Sequence, residues 1–193
     1  MNISSKRVFD VVMSLIGLII VCPILLAVGL VIKITSPGPV ILSQTRVGKD
    51  KVPFTIYKLR TMKFGTRDAG THEIEDSAVT AVGRVLRPTK LDELPQLWNV
   101  LIGEMSLVGP RPCLPVQSEL IEEREIRGVF SLAPGVTGLA QVEHIDMSDP
   151  VQLAEKDAEY IERQSFLGDL SVILQTLMGK GFEDRVVKNG ESR

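Results

Sequence analysis

The chain has 193 residues, enough for one domain with a real core plus an appendage. Its net charge of −2 conceals a split, with ten Lys/Arg against three Asp/Glu over residues 1–70 and twelve against twenty-one in the remainder. A basic half beside a hydrophobic segment points to anionic lipid headgroups or an anionic substrate, whereas the lack of interleaved aromatics and of zinc-ligand spacing argues against nucleic acid. Two cysteines, Cys22 and Cys113, make no disulfide framework and fit a reducing compartment.

The first element is an apolar run. From Val11 to Ile32, 22 residues carry no charge; as a helix they span roughly 33 Å, the thickness of a bilayer's hydrocarbon core. The run is too long for the core of a small domain and shows no small-x-small cleavage site before Lys33. It reads as a membrane segment. Pro23 lies near its midpoint and removes a backbone donor where lipid offers no substitute. Two forms follow: a kinked single-pass helix, or a helix broken at Cys22-Pro23 that returns to its starting side. Lys6 and Arg7 before the run, and Lys33, Arg46, Lys49 and Lys51 after it, all favour the cytosolic face, which favours the re-entrant form over residues 1–36.

Ser36-Pro37-Gly38-Pro39 then separates this segment from a cytosolic domain over residues 37–182. Val40-Ile41-Leu42 and Phe54-Thr55-Ile56-Tyr57, joined through Gly48-Lys49-Asp50-Lys51, predict a β-hairpin with a basic tip. Residues 65–78 are polar and read as a mobile loop. Apolar residues at 91, 94, 97, 98 and 101 predict a helix from Leu91 to Gly103 with Trp98 on its buried face. Further helices are predicted over 117–127, from an Asp149-Pro150 start to Gln164, and over 170–178. The last is short for a span and suits docking or the membrane interface. Residues 183–193 read as a polar, frayed tail. The expected fold is therefore mainly α with a small β-hairpin, a re-entrant membrane helix broken at Pro23, and a compact cytosolic domain with interfacial helices.

The chemistry centres on Asp92-Glu93. The plain reading is a capped helix start, with Thr89 as cap and both acids easing the helix dipole. The surroundings oppose that reading. Arg84, Arg87 and Lys90 precede the acids, and Gly109-Pro110-Arg111-Pro112 puts another guanidinium in a rigid turn. Cations gathered at a helix start make a phosphate site. The acids would repel phosphate unless one holds a divalent metal and the other attacks. His72 and His144 lack metal-ligand spacing, and Cys113 lacks a paired histidine.

Five strings in order complete the pattern: Lys58-Leu59-Arg60-Thr61-Met62; Gly83-Arg84-Val85-Leu86-Arg87; Leu91-Asp92-Glu93-Leu94-Pro95-Gln96-Leu97; Met105-Ser106-Leu107-Val108-Gly109-Pro110-Arg111-Pro112; and Pro134-Gly135-Val136-Thr137-Gly138-Leu139-Ala140-Gln141-Val142. Together with the Lys6-Arg7-x-Phe9-Asp10 start they resemble the small monotopic phosphoglycosyl transferases of bacteria, over roughly residues 3–180. The resemblance implies transfer of a phosphosugar from a UDP-sugar to polyprenol phosphate with release of UMP. This is the first membrane step in assembling O-antigen, capsule, exopolysaccharide or glycoprotein glycans. It implies ping-pong kinetics, with Asp92 as the nucleophile that forms an aspartyl–phosphosugar and Glu93 as the Mg²⁺ ligand. It also implies a re-entrant helix broken at proline, and a site on the cytosolic face of the bacterial inner membrane. Arg111 and Pro112, with Arg87, Lys58 and Arg60, are expected to bind substrate. Anionic lipids are expected partners, and a homodimer is compatible with the sequence but not selected by it.

After Gln141-Val142 the chain continues Glu143-His144-Ile145-Asp146 where many relatives carry Asn-Gly-Arg-Asn. That departure bears on the sugar, for which an N-acetylated amino sugar is the expectation. Asp157 and Asp169, on late helices, read equally as site residues or as ion-pair partners. Two other functions share the same residues. A membrane phosphatase or pyrophosphatase would lose the intermediate to water, and a non-enzymatic scaffold would use the acids only as caps.

Overall fold

The apolar run forms one helix, α1 (Ile3–Thr35), which passes through Pro23 without a break. The computed structural model describes residues 3–66 and 76–181. The expected helix–break–helix is corrected here. Pro23 deprives only the Ile19 carbonyl of its intrahelical donor, and the aliphatic residues on both sides carry the ladder past it, as prolines in apolar helices permit.

Polar residues fasten the first turns of α1 to the domain. Lys6 Nζ pairs with Asp169 at 2.6 Å, and Arg7 donates to the carbonyls of Val100 and Leu101. Asp10, 3 % exposed, accepts from Ser106 Oγ at 2.9 Å and from the Leu107 amide at 3.2 Å. Phe9 meets Phe166 edge to face at 5.2 Å. Near the other end, Ile32 is buried with Leu59 and Leu86. Ile19, Ile20, Leu26 and Leu30 remain exposed. The helix is long and apolar enough to cross a membrane, yet residues near both its ends rest on the same domain.

The hairpin forms as expected. Strand β1 (Ile41–Val47) pairs antiparallel with β2 (Pro53–Leu59) in the register Ile41↔Leu59 to Val47↔Pro53, around a 3₁₀ turn at Lys49–Lys51. The two-residue strand period puts Arg46, Phe54, Ile56 and Lys58 on one face.

Helix α2 (Ala81–Thr89), not anticipated from the sequence, starts at Thr80, whose hydroxyl accepts from the Gly83 amide at 2.9 Å. It ends where Lys90 takes a left-handed backbone at φ 51°. The single helix expected over 91–103 is instead a 3₁₀ turn, Leu91–Gln96, running into α3 (Leu97–Ile102). The ring of Pro95 crowds the carbonyl four residues back, that of Leu91, which disfavours α-helical spacing across this turn. The tighter step turns Asp92, Glu93, Pro95 and Gln96 inward and leaves Trp98 49 % exposed, correcting its expected place in the core. Thr89 does not cap this turn either; its hydroxyl donates back to the Leu86 carbonyl at 2.8 Å.

A second, parallel strand pair, β3 (Ser106–Val108) with β4 (Gly135–Thr137), has no counterpart among the sequence expectations. Around it lie α4 (Ser118–Ile126), α5 (Leu139–Val142), α6 (Pro150–Arg163) and α7 (Phe166–Leu177). Asp149 caps α6 as predicted, accepting from the Gln152 amide at 3.0 Å. Apolar clusters fill the spaces between: Cys113, Leu120, Leu153 and Ala154 in one, Val108, Val142, Tyr160 and Val172 in another. The tail at 183–193, His72 and most of the expected loop fall outside the described residues.

The Arg124–Asp157 ion pair is interior. Arg124 Nη2 meets Asp157 Oδ2 at 2.7 Å, with the two side chains 2 % and 4 % exposed. The same guanidinium donates from Nη1 to the Arg111 carbonyl at 2.8 Å. Removing one partner strands the other charge in the interior. Arg124→Met is therefore expected to cost about 3–5 kcal/mol in denaturant unfolding of the detergent-solubilised protein, and Arg124→Met with Asp157→Leu to recover most of it.

Candidate active site

Asp92 and Glu93 are the second and third residues of the 3₁₀ turn, 8 % and 5 % exposed. Glu93 Oε1 accepts from Lys58 Nζ at 2.6 Å and from Arg111 Nη2 at 2.7 Å. Lys58 comes from β2. Arg111 comes from the turn after β3, which is held flat against the β4 segment: the Gly109 amide donates to Thr137 at 2.9 Å and the Gly135 amide to Pro110 at 2.8 Å. A side chain cannot fit between these backbones, since a Cβ on Gly135 would lie 2.2 Å from the Gly109 nitrogen.

Burial by itself would push the Glu93 carboxyl up, but Arg111, Lys58 and Lys90 together outweigh it and hold Glu93 well below the usual carboxylate range. It is a permanent anion at neutral pH. Beside it lies a small polar pocket, about 10 Å³, walled by Arg46, Lys58, Glu93, Gln96, Arg111 and Pro112. The Gln96 Nε2 is buried with no protein acceptor.

The structure thus brings Glu93, Lys58, Arg111 and Pro112 together, with Asp92 buried one residue before Glu93 on the same turn. Arg87 is buried in the last turn of α2, just ahead of the acids. Arg60 is not at this site: it donates to the carbonyls of Pro37 at 2.6 Å and Ser36 at 2.9 Å, bracing the exit from α1. Asp157 and Asp169 are ion-pair partners, of Arg124 and Lys6 respectively. Arg46 and Gln96 were missed as pocket residues. The hairpin register would have placed Arg46 on the face of Lys58, and three-residue turns would have put Gln96 on the side of Glu93.

The donor set bears on Mg²⁺. Among the described residues no group of three or more His, Cys, Asp or Glu converges. What is present is an ionised Glu93, whose Oε2 lies outside the Lys58 and Arg111 contacts, and Asp92 next to it. Mg²⁺ commonly takes one or two carboxylates and completes its shell with water and substrate phosphate. The residues fit it on those terms, as a partial site.

The chain belongs to the bacterial sugar transferase family, whose model matches residues 1–181. It is 41 % identical over 181 residues, 89 % of this chain and 68 % of the relative, to the UDP-glucose:undecaprenyl-phosphate glucose-1-phosphate transferase of Caulobacter vibrioides. Identity to the Escherichia coli K12 protein of the same name is 39 % over 191 residues, 93 % of this chain and 40 % of that one. To the UDP-N-acetylgalactosamine-undecaprenyl-phosphate N-acetylgalactosaminephosphotransferase of Aeromonas hydrophila it is 37 % over 182 residues, 89 % of this chain and 42 % of that protein. The chain therefore spans less than half the length of the last two relatives.

The depressed Glu93 value has a signed consequence. Its ionised form stabilises the fold fully above the ordinary value of 4.5, and that contribution is lost as pH falls towards the depressed one. The stability gap between wild type and Glu93→Gln, followed by denaturant titration, is expected to be flat above about pH 5.5 and to narrow steadily below pH 4.5. A gap unchanged down to pH 3 would contradict the assigned ion pairs.

Proposed function

We propose that the protein transfers a phosphosugar from a UDP-sugar to polyprenol phosphate and releases UMP. The observation that carries this reading is the buried acid pair with Lys58 and Arg111 converged on one of its carboxylates. Such a site holds both charges a diphosphate needs: cations to receive it, and a carboxylate shielded enough to approach it.

An Asp92 carboxylate oxygen attacks the sugar-linked phosphorus. An Asp–O–P bond forms, the phosphoanhydride bond to UMP breaks, and UMP leaves with the electron pair. The polyprenol phosphate oxygen then attacks the same phosphorus, which frees Asp92 and leaves a polyprenyl diphosphosugar. One phosphoanhydride replaces another, so little driving force is required and the protein's task is charge management and positioning. Lys58 and Arg111 take the donor's phosphate charge, with Arg87 close to the acids as a further cation. Glu93 is the residue that would hold Mg²⁺, which when bound supplies charge neutralisation at the diphosphate.

The relatives are named for glucose and for N-acetylgalactosamine. An N-acetylated amino sugar is the donor we propose here, with residues 143–146 as the segment that sets the choice. The packing of residues near both ends of α1 on the domain supports a topology in which both ends stay on one face of the bilayer. We assign that face to the cytosolic side of the bacterial inner membrane.

Intact-protein mass spectrometry of the full chain with Mg²⁺ and a panel of UDP-sugars, without acceptor, tests the covalent step. A mass increase equal to one phosphosugar is expected with the correct sugar and absent in Asp92→Asn, whose turnover should fall by at least about 10³-fold. UMP release that needs acceptor, with no adduct for any sugar, would remove Asp92 as nucleophile. No UMP with any donor would overturn the reading as a whole.

A further inference from the structure

The polar side chains around the small pocket beside Glu93 are largely engaged within the fold. Lys58 and Arg111 both donate to Glu93 Oε1. Arg46 reaches the pocket from β1 and donates to the side chain of Gln44, two residues back on the same strand. Gln96 differs from these. It is 3 % exposed, and its Nε2 is buried without an acceptor among the described residues. The 3₁₀ turn fixes its place: three residues per step set side chains at i and i+3 one above the other, so Gln96 lies on the side of Glu93. Both wall the same pocket, yet the amide nitrogen makes no bond to that carboxylate. A buried amide left without an acceptor weakens the fold that holds it, and an incoming acceptor removes the penalty.

Charge and size define the acceptor. Arg46, Lys58 and Arg111, set against Glu93, leave the lining with an excess of positive charge. An anionic oxygen is thus favoured over a neutral carbonyl. The cavity of about 10 Å³ takes one atom of the size of a water oxygen, and a sugar ring or a base is far too large for it. Ile56, Pro112, Gly135 and Val136 complete the walls and bring no polar side chain. A neutral donor suits this position better than a further cation, which would compete with Lys58 and Arg111 for the Glu93 carboxylate.

Resting on the phosphoglycosyl transfer reading, we propose that Gln96 is a substrate-binding residue whose Nε2 donates to a phosphoryl oxygen of the donor's diphosphate, seated in this pocket beside Glu93. The contact forms while Lys58 and Arg111 still hold Glu93, so the first grip on the donor leaves the ion pairs of the site intact. Gln96 is thereby distinguished from the cations: it has no other bond to give up when the diphosphate arrives.

The test is isothermal titration of the full chain in detergent with UDP and with inorganic pyrophosphate, each in the presence of Mg²⁺. Gln96→Met keeps the length of the side chain and removes the donor. Its affinity for both probes is expected to fall at least about tenfold, while the melting temperature of the ligand-free variant holds or rises, because an unsatisfied buried group has been removed. Gln96→Glu keeps the shape and puts a second carboxylate in the pocket. It is expected to weaken UDP further than Gln96→Met does, and to raise the KM for UDP-sugar with the KM for acceptor unchanged. A lowered melting temperature with UDP affinity unchanged would make Gln96 a packing residue over a bound water and overturn the proposal. Loss of UDP affinity without loss of pyrophosphate affinity would place the amide at the nucleoside and overturn it too. A wild-type chain that binds neither probe sinks the transferase reading itself, whereas wild-type binding that survives both substitutions sinks this inference alone.

Discussion

A carboxylate gripped by two cations in the interior is the constraint on which this molecule is built. Glu93 draws Lys58 from the hairpin and Arg111 from the turn after β3 onto a single oxygen, so three segments remote in sequence meet at one atom. Without the acid, two buried-edge cations would face each other; without the cations, the carboxyl would be driven to protonate by burial. The arrangement is self-consistent only when complete. Under the proposed reaction, Lys58 and Arg111 turn towards incoming phosphate. Glu93 is then the carboxylate that would hold a divalent ion and so recover a compensating charge.

Support for that grip reaches well behind the site. Arg124 serves two ends at once, neutralising Asp157 between α4 and α6 and fixing the Arg111 backbone through its carbonyl. The glycines at 109 and 135 let the β3 and β4 segments approach to backbone contact, which aims the Arg111 side chain at Glu93. On the membrane side, α1 is tied by Lys6, Arg7 and Asp10 to α7, α3 and β3 in turn. An apolar helix alone would have no preferred angle on the domain; three directional polar contacts define one.

Much of this was legible in the residues. The hairpin, the Asp149 cap, the long apolar helix and the meeting of Glu93, Lys58 and Arg111 follow from strand period, cap chemistry, hydropathy and ordered motifs. What escaped did so for physical reasons. Periodicity at 3.6 residues per turn assigned Trp98 to the core, because the pattern does not reveal that Pro95 forces three-residue steps. Pro23 promised a break, yet one missing hydrogen bond is a small loss inside a long aliphatic helix. The β3–β4 pair is three residues on each side and joined across 29 positions, too short and too distant to leave a periodic trace. Arg60, one residue beyond β2, closes on the Ser36-Pro37 carbonyls, a tertiary contact that no local pattern announces.

The contact between Lys6 and Asp169 joins residues 163 positions apart. On the ribosome, synthesis at roughly 5–20 residues per second separates their appearance by on the order of ten seconds or more. The apolar helix thus emerges long before the carboxylate that will anchor it exists. During that interval Asp10, four residues on, is the nearby acid that Lys6 already has. Final closure is therefore a docking of the chain's late helices onto a helix made long before them.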